Sequence, residues 1–335
     1  MTDGSLPGGP ILIGAAQMAG PAALTAAIDA LAAAFADLAA GRTASPGRTV
    51  VDSSGGRQLV VGPAVWEPRG VASVKVTTLT PGNPERGLPL IHGVVVLTDL
   101  GTGRVAALLD GGELTAVRTG AVAGLATRLC APPDAADVAI VGAGVQGRAL
   151  LRAVCAVRPI TSVRVFSRTR ASAEAFGVWA RADAAPGARV TVCGSGQDAV
   201  RDAAVICTAT SVSGQTPVLE AGWVAPGAHV NAIGGTHEDA IEVDPALLAT
   251  AAVVVEERAA ALADAGEVRA GLAAGLIGPA DLYELGDLVT GAATTGGRTS
   301  VFRSVGLAVE DTAAAAALWD QARNTSRDGA AAGLQ

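Results

Sequence analysis

Apolar residues recur at helical spacing near the start of the chain and at strand spacing after it. Five of them would share one side of a helix that Gly41 ends: Leu24, Ile28, Leu31, Phe35 and Leu38. Short apolar runs predict strands at 57–65, 71–79, 93–100 and 104–110. The turn sequence DLGTGR between the last two runs favours a hairpin, so we expect an antiparallel sheet, followed by a helix from Glu113 to Leu129.

Further along, the pattern changes to short apolar strands that alternate with helical segments. The predicted strands read VAIV, SVRVF, RVTVC, AAVIC, AHVNAI and AAVVV. Such alternation is typical of a parallel sheet with helices on both faces. The sequence therefore predicts an α/β protein, with a Rossmann-type doubly wound nucleotide domain at 129–304. A second, α+β domain would combine residues 1–128 with a C-terminal helix in 305–335, which would end near Arg323 in a frayed tail.

Composition and charge narrow the class of protein. Half of the 335 residues are hydrophobic, and the net charge is −7 with no basic run, which argues against a nucleic-acid partner. We identify no secretory signal and no membrane span, so we expect no membrane association. The four cysteines lie far apart, which favours free thiols in the cytoplasm, and three scattered histidines argue against a metal site.

The clearest motif is a glycine-rich turn between a predicted strand and a predicted helix, in VAIVGAGVQGRALL. Gly142 would make the tight turn, Gly144 would admit a pyrophosphate, and Gly147 would let the helix pack on the strand. Val145 and Gln146 complete the turn, where the amides at the start of the helix would face the phosphates. The motif predicts that the chain binds a dinucleotide.

The end of the second strand indicates which dinucleotide binds. NAD sites usually have Asp or Glu there, to hold the ribose hydroxyls. This chain instead has Ser167, Arg168, Thr169 and Arg170. No carboxylate repels a 2′-phosphate, and two guanidiniums can bind one. We therefore expect NADP(H) to be preferred over NAD(H); the alternative is that one arginine is only a solvated side chain.

Lys75 is the only lysine among 24 lysines and arginines. In a strand at 71–79, Ser73, Lys75 and Thr77 would share one face, and so polar a face should line a cavity. Burial lowers the pKa of a lysine, whereas an arginine keeps its proton. Lys75 is therefore a candidate proton donor.

Several stretches resemble one family. They are VKVTTLTPGNPERGLP, LLDGGELTAVRTGAVAGLATR, VGAGVQG, CTATS, VNAIGG and SVFRSVGLAVED, spread from about residue 40 to 320. Together they resemble the ornithine cyclodeaminase/mu-crystallin family. The resemblance implies a homodimer, whose substrate domain is built from the N-terminal half and the last helix, with the nucleotide domain inserted between. It also implies chemistry at an amine or imine carbon next to a carboxylate.

The resemblance also implies site residues. The positions that match Arg48, Lys75 and Arg118 bind the substrate carboxylate in the family. Lys75 and Arg118 are then the candidate catalytic residues, and Lys75 would pass a proton to an imine nitrogen as hydride reaches the carbon. Other coenzyme contacts are expected from the family segments or at the carboxyl edge of the parallel sheet: Thr119, Thr208, Ala209, Thr210, Ile233, Ser304, Val305 and Gly306.

The chain departs from the family pattern at two positions. Cyclodeaminases and the related archaeal alanine dehydrogenases have a substrate-binding aspartate where this chain has Thr236, and another cyclodeaminase carboxylate falls near Val60. Threonine cannot act as a carboxylate base, so both losses weaken ornithine cyclodeamination. Imine reduction is not weakened, because Lys75 or a water can supply the proton. Three neighbours stay open as replacements for the aspartate: His237, Glu238 and Asp239.

We therefore expect an NADP(H)-dependent oxidoreductase that acts on C–N bonds of a small amino or imino acid. It would reduce a ketimine of an α-keto acid to the amino acid, or run the reverse oxidation. Two alternatives stay open: a cyclodeaminase of ornithine or lysine type with no net redox change, and a non-catalytic NADPH-dependent binding protein of mu-crystallin type. A reductase that condenses an amine with a keto acid is also open.

Overall fold

A computed structural model of the chain describes residues 9–211, 214–235 and 240–332. Its internal contacts form two compact units. Unit 1 comprises Met1–Arg118 and Leu307–Gln335, and unit 2 comprises Thr119–Gly306. The sequence analysis placed these divisions after residues 128 and 304. The first division falls inside one continuous helix, so neither a loop nor a change of composition marks it in the sequence.

The N-terminal part of unit 1 is mainly a sheet. Its strands are β1 (Ile11–Ile13), β2 (Thr43–Ala44), β3 (Thr49–Ser53), β4 (Arg57–Trp66), β5 (Val71–Leu79), β6 (Ile91–Asp99) and β7 (Val105–Asp110). Its helices are α1 (Ala15–Met18), α2 (Pro21–Ala39) and α3 (Gly111–Cys130), and α3 continues into unit 2. Short 3-10 turns lie at Ser54–Gly56, Glu67–Arg69 and Pro84–Arg86.

Unit 2 alternates strands and helices, and one long helix then returns the chain to unit 1. The strands are β8 (Asp137–Val141), β9 (Ser162–Phe166), β10 (Arg189–Val192), β11 (Val205–Thr208), β12 (His229–Ala232), β13 (Ala252–Val255), β14 (Leu282–Glu284) and β15 (Ser300–Arg303). The helices are α4 (Val145–Val157), α5 (Arg170–Trp179), α6 (Gly196–Val200), α7 (Pro245–Leu248), α8 (Arg258–Asp264), α9 (Gly266–Ala273) and α10 (Leu285–Thr290), and the returning helix is α11 (Ala308–Ala332). A π-helical turn follows α5 at Ala180–Ala184, and 3-10 turns lie at Ala221–Trp223 and Pro279–Asp281.

The sheet of unit 1 runs in the order β1-β7-β6-β5-β4-β2, and β3 also pairs with β4. The pairs among β4, β5, β6 and β7 are antiparallel, so the predicted hairpin is confirmed, while β1 lies parallel to β7. One face of the sheet is covered by α11, which also packs on α2. The side chains on that face are buried, among them Ile13, Ala64, Trp66, Leu97 and Leu109.

The predicted N-terminal helix is confirmed as α2. By length and composition this helix is apolar enough to cross a membrane, but Leu24, Ile28, Leu31 and Phe35 are buried within unit 1. Asp37 is buried as well, and its carboxylate accepts a hydrogen bond of 2.6 Å from the Trp66 indole. The apolar side of α2 is therefore part of the core of unit 1.

The sheet of unit 2 is parallel throughout, in the order β10-β9-β8-β11-β12-β15-β13-β14. Alternate residues of β8 enter two separate cores, Val138 and Ile140 one of them and Ala139 and Val141 the other, so both faces are covered. The predicted α/β fold is confirmed. The chain runs outward from β8 through β9 to β10 and then crosses to β11 on the other side of β8. Ligands of such sheets bind at the carboxyl ends of the strands beside this switch point.

The last helix is longer than the sequence analysis predicted. It was expected to end near Arg323, but α11 continues to Ala332. Alanine has the highest helix propensity of the residues, and the segment after Arg323 contains several.

Candidate active site and coenzyme site

Lys75 lies in the middle of β5, between Gly62 of β4 and Val95 of β6. It shares its strand face with Ser73, as predicted. That face is the covered one, because the Ser73 hydroxyl lies 2.8 Å from the hydroxyl of Thr312 in α11. The polar side chains of β5 therefore lie beneath α11.

The Lys75 ammonium is held by two side chains. It donates hydrogen bonds to the Thr115 hydroxyl at 2.5 Å and to Asp311 Oδ1 at 3.1 Å. The Thr115 hydroxyl itself donates to the Gly111 carbonyl, so its lone pairs face the ammonium. An ammonium has three N–H donors, and within the described part of the chain the third one has no partner. One proton of Lys75 is therefore available to a ligand.

Burial is the largest cause that acts on Lys75, and it lowers the pKa of the ammonium. The Asp311 carboxylate raises this pKa, while the positive charges of Arg118 and Arg48 lower it further. The net direction is downward. This brings Lys75 closer to the range in which it can give up a proton, which is the property that the sequence analysis expected of it.

Arg118 contacts two adjacent carboxylates at the start of α11, and one of them, Asp311, also contacts Lys75. Its Nη1 donates to Glu310 Oε2 at 2.9 Å, and its Nε lies 3.5 Å from Asp311 Oδ1. The Glu310 side chain is fully buried and also accepts a hydrogen bond from the Leu307 amide. Arg118, in α3, is thus held by two carboxylates from the first turn of α11.

Arg48 completes the cluster of predicted substrate-binding cations. It directly precedes β3, and its Cγ would lie 3.9 Å from a Cβ added to Gly62, the register partner of Lys75. Unit 1 therefore brings Arg48, Lys75 and Arg118 together. Thr236, the fourth predicted substrate residue, lies outside the described residues, as do the proposed replacements for the family aspartate: His237, Glu238 and Asp239.

Three residues that hold Lys75 and Arg118 were not predicted from the sequence: Thr115, Glu310 and Asp311. The signal available was weak. Glu310 and Asp311 are adjacent acids at the start of a helix that is otherwise rich in alanine, a pattern that is also typical of a solvated helix start. Both side chains are buried. With Arg48, three cations stand against two carboxylates, so the cluster can bind one carboxylate of a ligand and supply one proton to it.

In unit 2, the glycine turn follows β8 and leads into α4. Gly142 has a φ of +110°, and a Cβ there would lie 2.3 Å from the Ala209 carbonyl oxygen. A Cβ on Gly147 would lie 2.1 Å from the Gly142 carbonyl oxygen. Both positions require glycine because the backbone approaches too closely for a side chain. A Cβ on Gly144 would meet nothing within 4 Å, so this side of the turn is open to a ligand.

The open side of the turn has features that fit a bound dinucleotide. Val145, the first residue of α4, is 70% exposed although it is apolar. The buried Oε1 of Gln146 has no hydrogen-bond partner among the described residues. In dinucleotide sites the amides at the start of such a helix face the phosphates. The residues present therefore fit the pyrophosphate of a nicotinamide coenzyme.

The residues predicted to select the coenzyme follow β9. Arg168, Thr169 and Arg170 are exposed and Ser167 is half-buried. The Arg170 Nε donates to Glu174 Oε1 at 2.8 Å, whereas Arg168 makes no hydrogen bond or ion pair with any described residue. Two guanidiniums thus stand at the end of β9, and one of them is shared with a carboxylate.

The predicted coenzyme residues at the end of β11 and just after it hold a buried carboxylate. Glu242 accepts hydrogen bonds from four donors: the hydroxyls of Thr208 and Thr210 and the amides of Thr210 and Gly234. Burial raises the pKa of this carboxyl, and the bonds from Thr210 and Thr208 oppose the rise. The hydroxyls of Thr208 and Thr210 therefore stabilise the loops after β11 and β12. Ala209 lies between them, against Gly142.

A second buried pair holds the loop after β12, which includes the predicted residue Ile233. Arg303 Nε donates to Glu267 Oε2 at 2.7 Å, and its terminal nitrogens donate to the carbonyls of Gly234 and Gly235. Glu267 also accepts hydrogen bonds from the amide of Glu242. The loops after β11, β12 and β15 are therefore linked through side chains that are themselves buried.

A third carboxylate holds the segment after β15. Glu256 accepts a hydrogen bond of 2.5 Å from the Ser304 hydroxyl, and further bonds from the amides of Val305 and Gly306. Thr119, the remaining predicted coenzyme residue, is buried in α3. There α3 approaches α4 so closely that a Cβ on Gly120 would lie 2.8 Å from the Ala149 carbonyl oxygen. Sequence reasoning missed the supporting residues Glu242, Glu256, Glu267 and Arg303, although a lone arginine inside the apolar strand VFR was a usable signal.

Comparisons with known proteins match one family over nearly the whole chain. The model of the ornithine cyclodeaminase/mu-crystallin family matches residues 12–326. The ketimine reductase mu-crystallin of Mus musculus is 36% identical over 283 residues, 84% of this chain and 86% of the relative. A Delta(1)-pyrroline-2-carboxylate reductase of Bacillus cereus is 35% identical over 299 residues, 87% and 90% of the two chains. The structure of Thermococcus litoralis Delta(1)-pyrroline-2-carboxylate reductase in complex with NADH and L-proline matches with a TM-score of 0.86 and 29% identity, over 94% of this chain and 98% of that chain.

Proposed function

This chain belongs to the ornithine cyclodeaminase/mu-crystallin family, and on that premise we propose that it is a nicotinamide-dependent imine reductase. It reduces the C=N bond of an imino acid whose imine carbon carries a carboxylate. The observation that carries the proposal is the Lys75 ammonium, which is buried beside Arg118 and keeps one N–H donor for a ligand. The relatives reported above are named as reductases of such imines.

The cations of unit 1 have separate roles in the proposed reaction. Arg118 and Arg48 bind the substrate carboxylate, because a guanidinium matches the geometry of a carboxylate. Lys75 donates its proton to the imine nitrogen. When bound, the reduced nicotinamide supplies the hydride that the imine carbon accepts. One C–H and one N–H bond form, the C=N bond becomes single, and Lys75 recovers its proton from solvent.

The substrate is a cyclic ketimine carboxylate in this proposal. Relatives with 35% and 36% identity are named for pyrroline-2-carboxylate and ketimine reduction. Thr236 stands where cyclodeaminases have an aspartate, so the base that cyclodeamination needs is missing from the sequence at that position. Both observations favour net reduction over a cyclisation with no net redox change.

NADP(H) is the preferred coenzyme in this proposal. The end of β9 has no carboxylate to hold a ribose diol, and Arg168 is exposed without an ionic partner among the described residues. An unpaired guanidinium at this position can bind a 2′-phosphate directly. Arg170 contributes less, because its guanidinium is shared with Glu174.

The protein is a homodimer in this proposal, and the outer face of the unit 1 sheet is its interface. Leu12, Val74 and Val94 lie on that face and are 70%, 37% and 37% exposed. Their register neighbours on the same face are also apolar: Pro63, Val76, Val96 and Leu108. A contiguous apolar face of this kind marks an interaction surface. The four cysteines are free, which supports the further proposal of a reducing, cytoplasmic location.

Coenzyme oxidation tests the proposed function. NADPH and NADH are supplied in parallel with a panel of cyclic ketimine carboxylates, and absorbance follows the coenzyme. We expect turnover with NADPH that is lost in Lys75→Ala, while Arg57→Ala, which removes an exposed cation of the same sheet, retains it. Circular dichroism and coenzyme binding verify that both variants fold. If the coenzyme binds but no ketimine is turned over, or if ornithine releases ammonia without net coenzyme oxidation, the proposal is wrong.

A further inference from the structure

Asp311 contacts both candidate catalytic cations but is not needed to bind an anionic substrate. Its Oδ1 accepts a hydrogen bond from Lys75 Nζ at 3.1 Å and lies 3.5 Å from Arg118 Nε. The carboxylate is buried, with its side chain 7% exposed. A buried anion would repel the substrate carboxylate, so its presence here requires a reason other than substrate binding.

The charged groups that act on Lys75 among the described residues lie on α3, on α11 and in the segment before β3. Arg118 in α3 and Arg48 before β3 lower the pKa of the ammonium, in addition to the larger effect of burial, and Asp311 in α11 raises it. Glu310 is adjacent to Asp311 but bonds Arg118 and the Leu307 amide. The neighbours of Lys75 in the sheet, Gly62 and Val95, carry no charge. Of these two adjacent carboxylates, Asp311 is the one that accepts a hydrogen bond from Lys75.

We infer that Asp311 is a positioning residue for Lys75: together with Thr115 it occupies two of the three N–H donors, so that the remaining one is presented to the imine nitrogen. This inference rests on the proposed function. Asp311 also favours the protonated form of Lys75, which the nearby charges of Arg118 and Arg48 oppose. Without it, the ammonium would keep only the hydrogen bond to Thr115 and would lose its proton at a lower pH.

The direction of the pH effect follows from the charges. Lys75 is active as a donor only while protonated, so activity falls as pH rises through its pKa. Asp311→Asn keeps an acceptor of the same shape but removes the negative charge. We expect the pKa of Lys75 to fall, because the carboxylate charge that favours the ammonium is lost. The basic limb of the pH–rate profile then moves to lower pH by the same amount.

The single lysine permits a direct measurement. Protein without added lysines, produced with lysine labelled with carbon-13 at Cε, gives one side-chain NMR signal, whose chemical shift reports the protonation of Lys75. The wild type, Asp311→Asn and Glu310→Gln are titrated without substrate. Glu310→Gln is the matched control, because it makes the same chemical change one residue away at the carboxylate that bonds Arg118. We expect the midpoint to fall in Asp311→Asn and to change by less than half as much in Glu310→Gln.

Kinetics separate positioning from charge. In Asp311→Asn we expect kcat to fall at least tenfold with a shifted basic limb, whereas Glu310→Gln mainly raises KM for the imino acid. Asp311→Glu keeps the charge and displaces it by one methylene, so its Lys75 midpoint should stay near that of the wild type while kcat falls several-fold. Asp311→Glu also tests the inference if Asp311→Asn does not fold.

Two results would overturn the inference. One is an unchanged Lys75 midpoint in Asp311→Asn; the other is full kcat in Asp311→Glu together with an unshifted basic limb in Asp311→Asn. The NMR titration needs no turnover, so it remains informative if no imine is reduced. In that case, a shifted midpoint would still support the contact between Asp311 and Lys75, and only the proposed reaction would be wrong.

Discussion

Both units bury charged side chains beside their proposed binding groups, but they differ in how fully those charges are bonded. In unit 1, the Lys75 ammonium uses two of three N–H donors on described residues. In unit 2, the Glu242 carboxylate accepts four hydrogen bonds, which fill its roughly four lone-pair sites. A buried charged group that lacks hydrogen-bond partners costs free energy unless a ligand supplies them. A buried charged group that makes all its hydrogen bonds stabilises the fold. The comparison separates a group that acts on a ligand from one that supports the loops around it.

The largest expected effect comes from removing the incompletely bonded charge. Lys75→Met keeps the length and apolar stem of the side chain and removes the proton donor. We expect kcat to fall by about 10²–10⁴-fold, the usual contribution of a general acid. We expect only a moderate loss in the free energy of unfolding, because Asp311 loses the hydrogen bond from Lys75 but keeps the charge of Arg118 3.5 Å away. Kinetics and urea unfolding measure the two quantities, and a large loss of stability with the activity loss would contradict the distinction.

Removing the fully hydrogen-bonded carboxylate of Glu242 should instead lower the free energy of unfolding. Glu242→Gln replaces one acceptor oxygen by an NH₂ group, which cannot accept from the Thr208 hydroxyl or the Gly234 amide. Each buried donor left without an acceptor costs about 1–3 kcal/mol, so we expect a loss of roughly 2–4 kcal/mol in the free energy of unfolding. Glu220→Gln in the same unit, whose side chain forms no hydrogen bond with a described residue, is the control. Unfolding in urea measures the stability of both variants. If they are equally stable, Glu242 does not support the loops after β11 and β12.

Local sequence patterns predicted most of the fold and about half of the site. The glycine turn, the parallel strands and the strand face of Lys75 depend on neighbours a few residues apart, so periodicity is enough to identify them. The partners of the cations are not local: Asp311 lies 236 residues from Lys75, and Glu310 lies 192 residues from Arg118. In the sequence these two acids have the same pattern as a solvated helix start. Only the return of α11 onto β5 buries them.

The glycine turn gives the same comparison within four residues. A Cβ on Gly147 would meet the Gly142 carbonyl oxygen at 2.1 Å, whereas one on Gly144 would meet nothing within 4 Å. We expect Gly147→Ala to lower the free energy of unfolding by about 1–3 kcal/mol through overpacking. Gly144→Ala should remain stable and instead raise the dissociation constant of the coenzyme. Thermal unfolding and coenzyme titration of both variants test this. If Gly144→Ala binds the coenzyme like the wild type, the open side of the turn is not where the pyrophosphate lies.

The smallest expected effect concerns the two guanidiniums after β9, one shared with a carboxylate and one without a described partner. Arg168→Ala should raise KM for NADPH about tenfold, which corresponds to the loss of about one charge-assisted hydrogen bond, and leave KM for NADH unchanged. Arg170→Ala should have a smaller effect, because Glu174 already occupies that guanidinium. The ratio of kcat/KM for the two coenzymes is the measurement. A parallel loss with NADPH and NADH would mean that Arg168 contacts a part common to both coenzymes, and a larger effect at Arg170 would mean that bonding to Glu174 does not reduce its contribution.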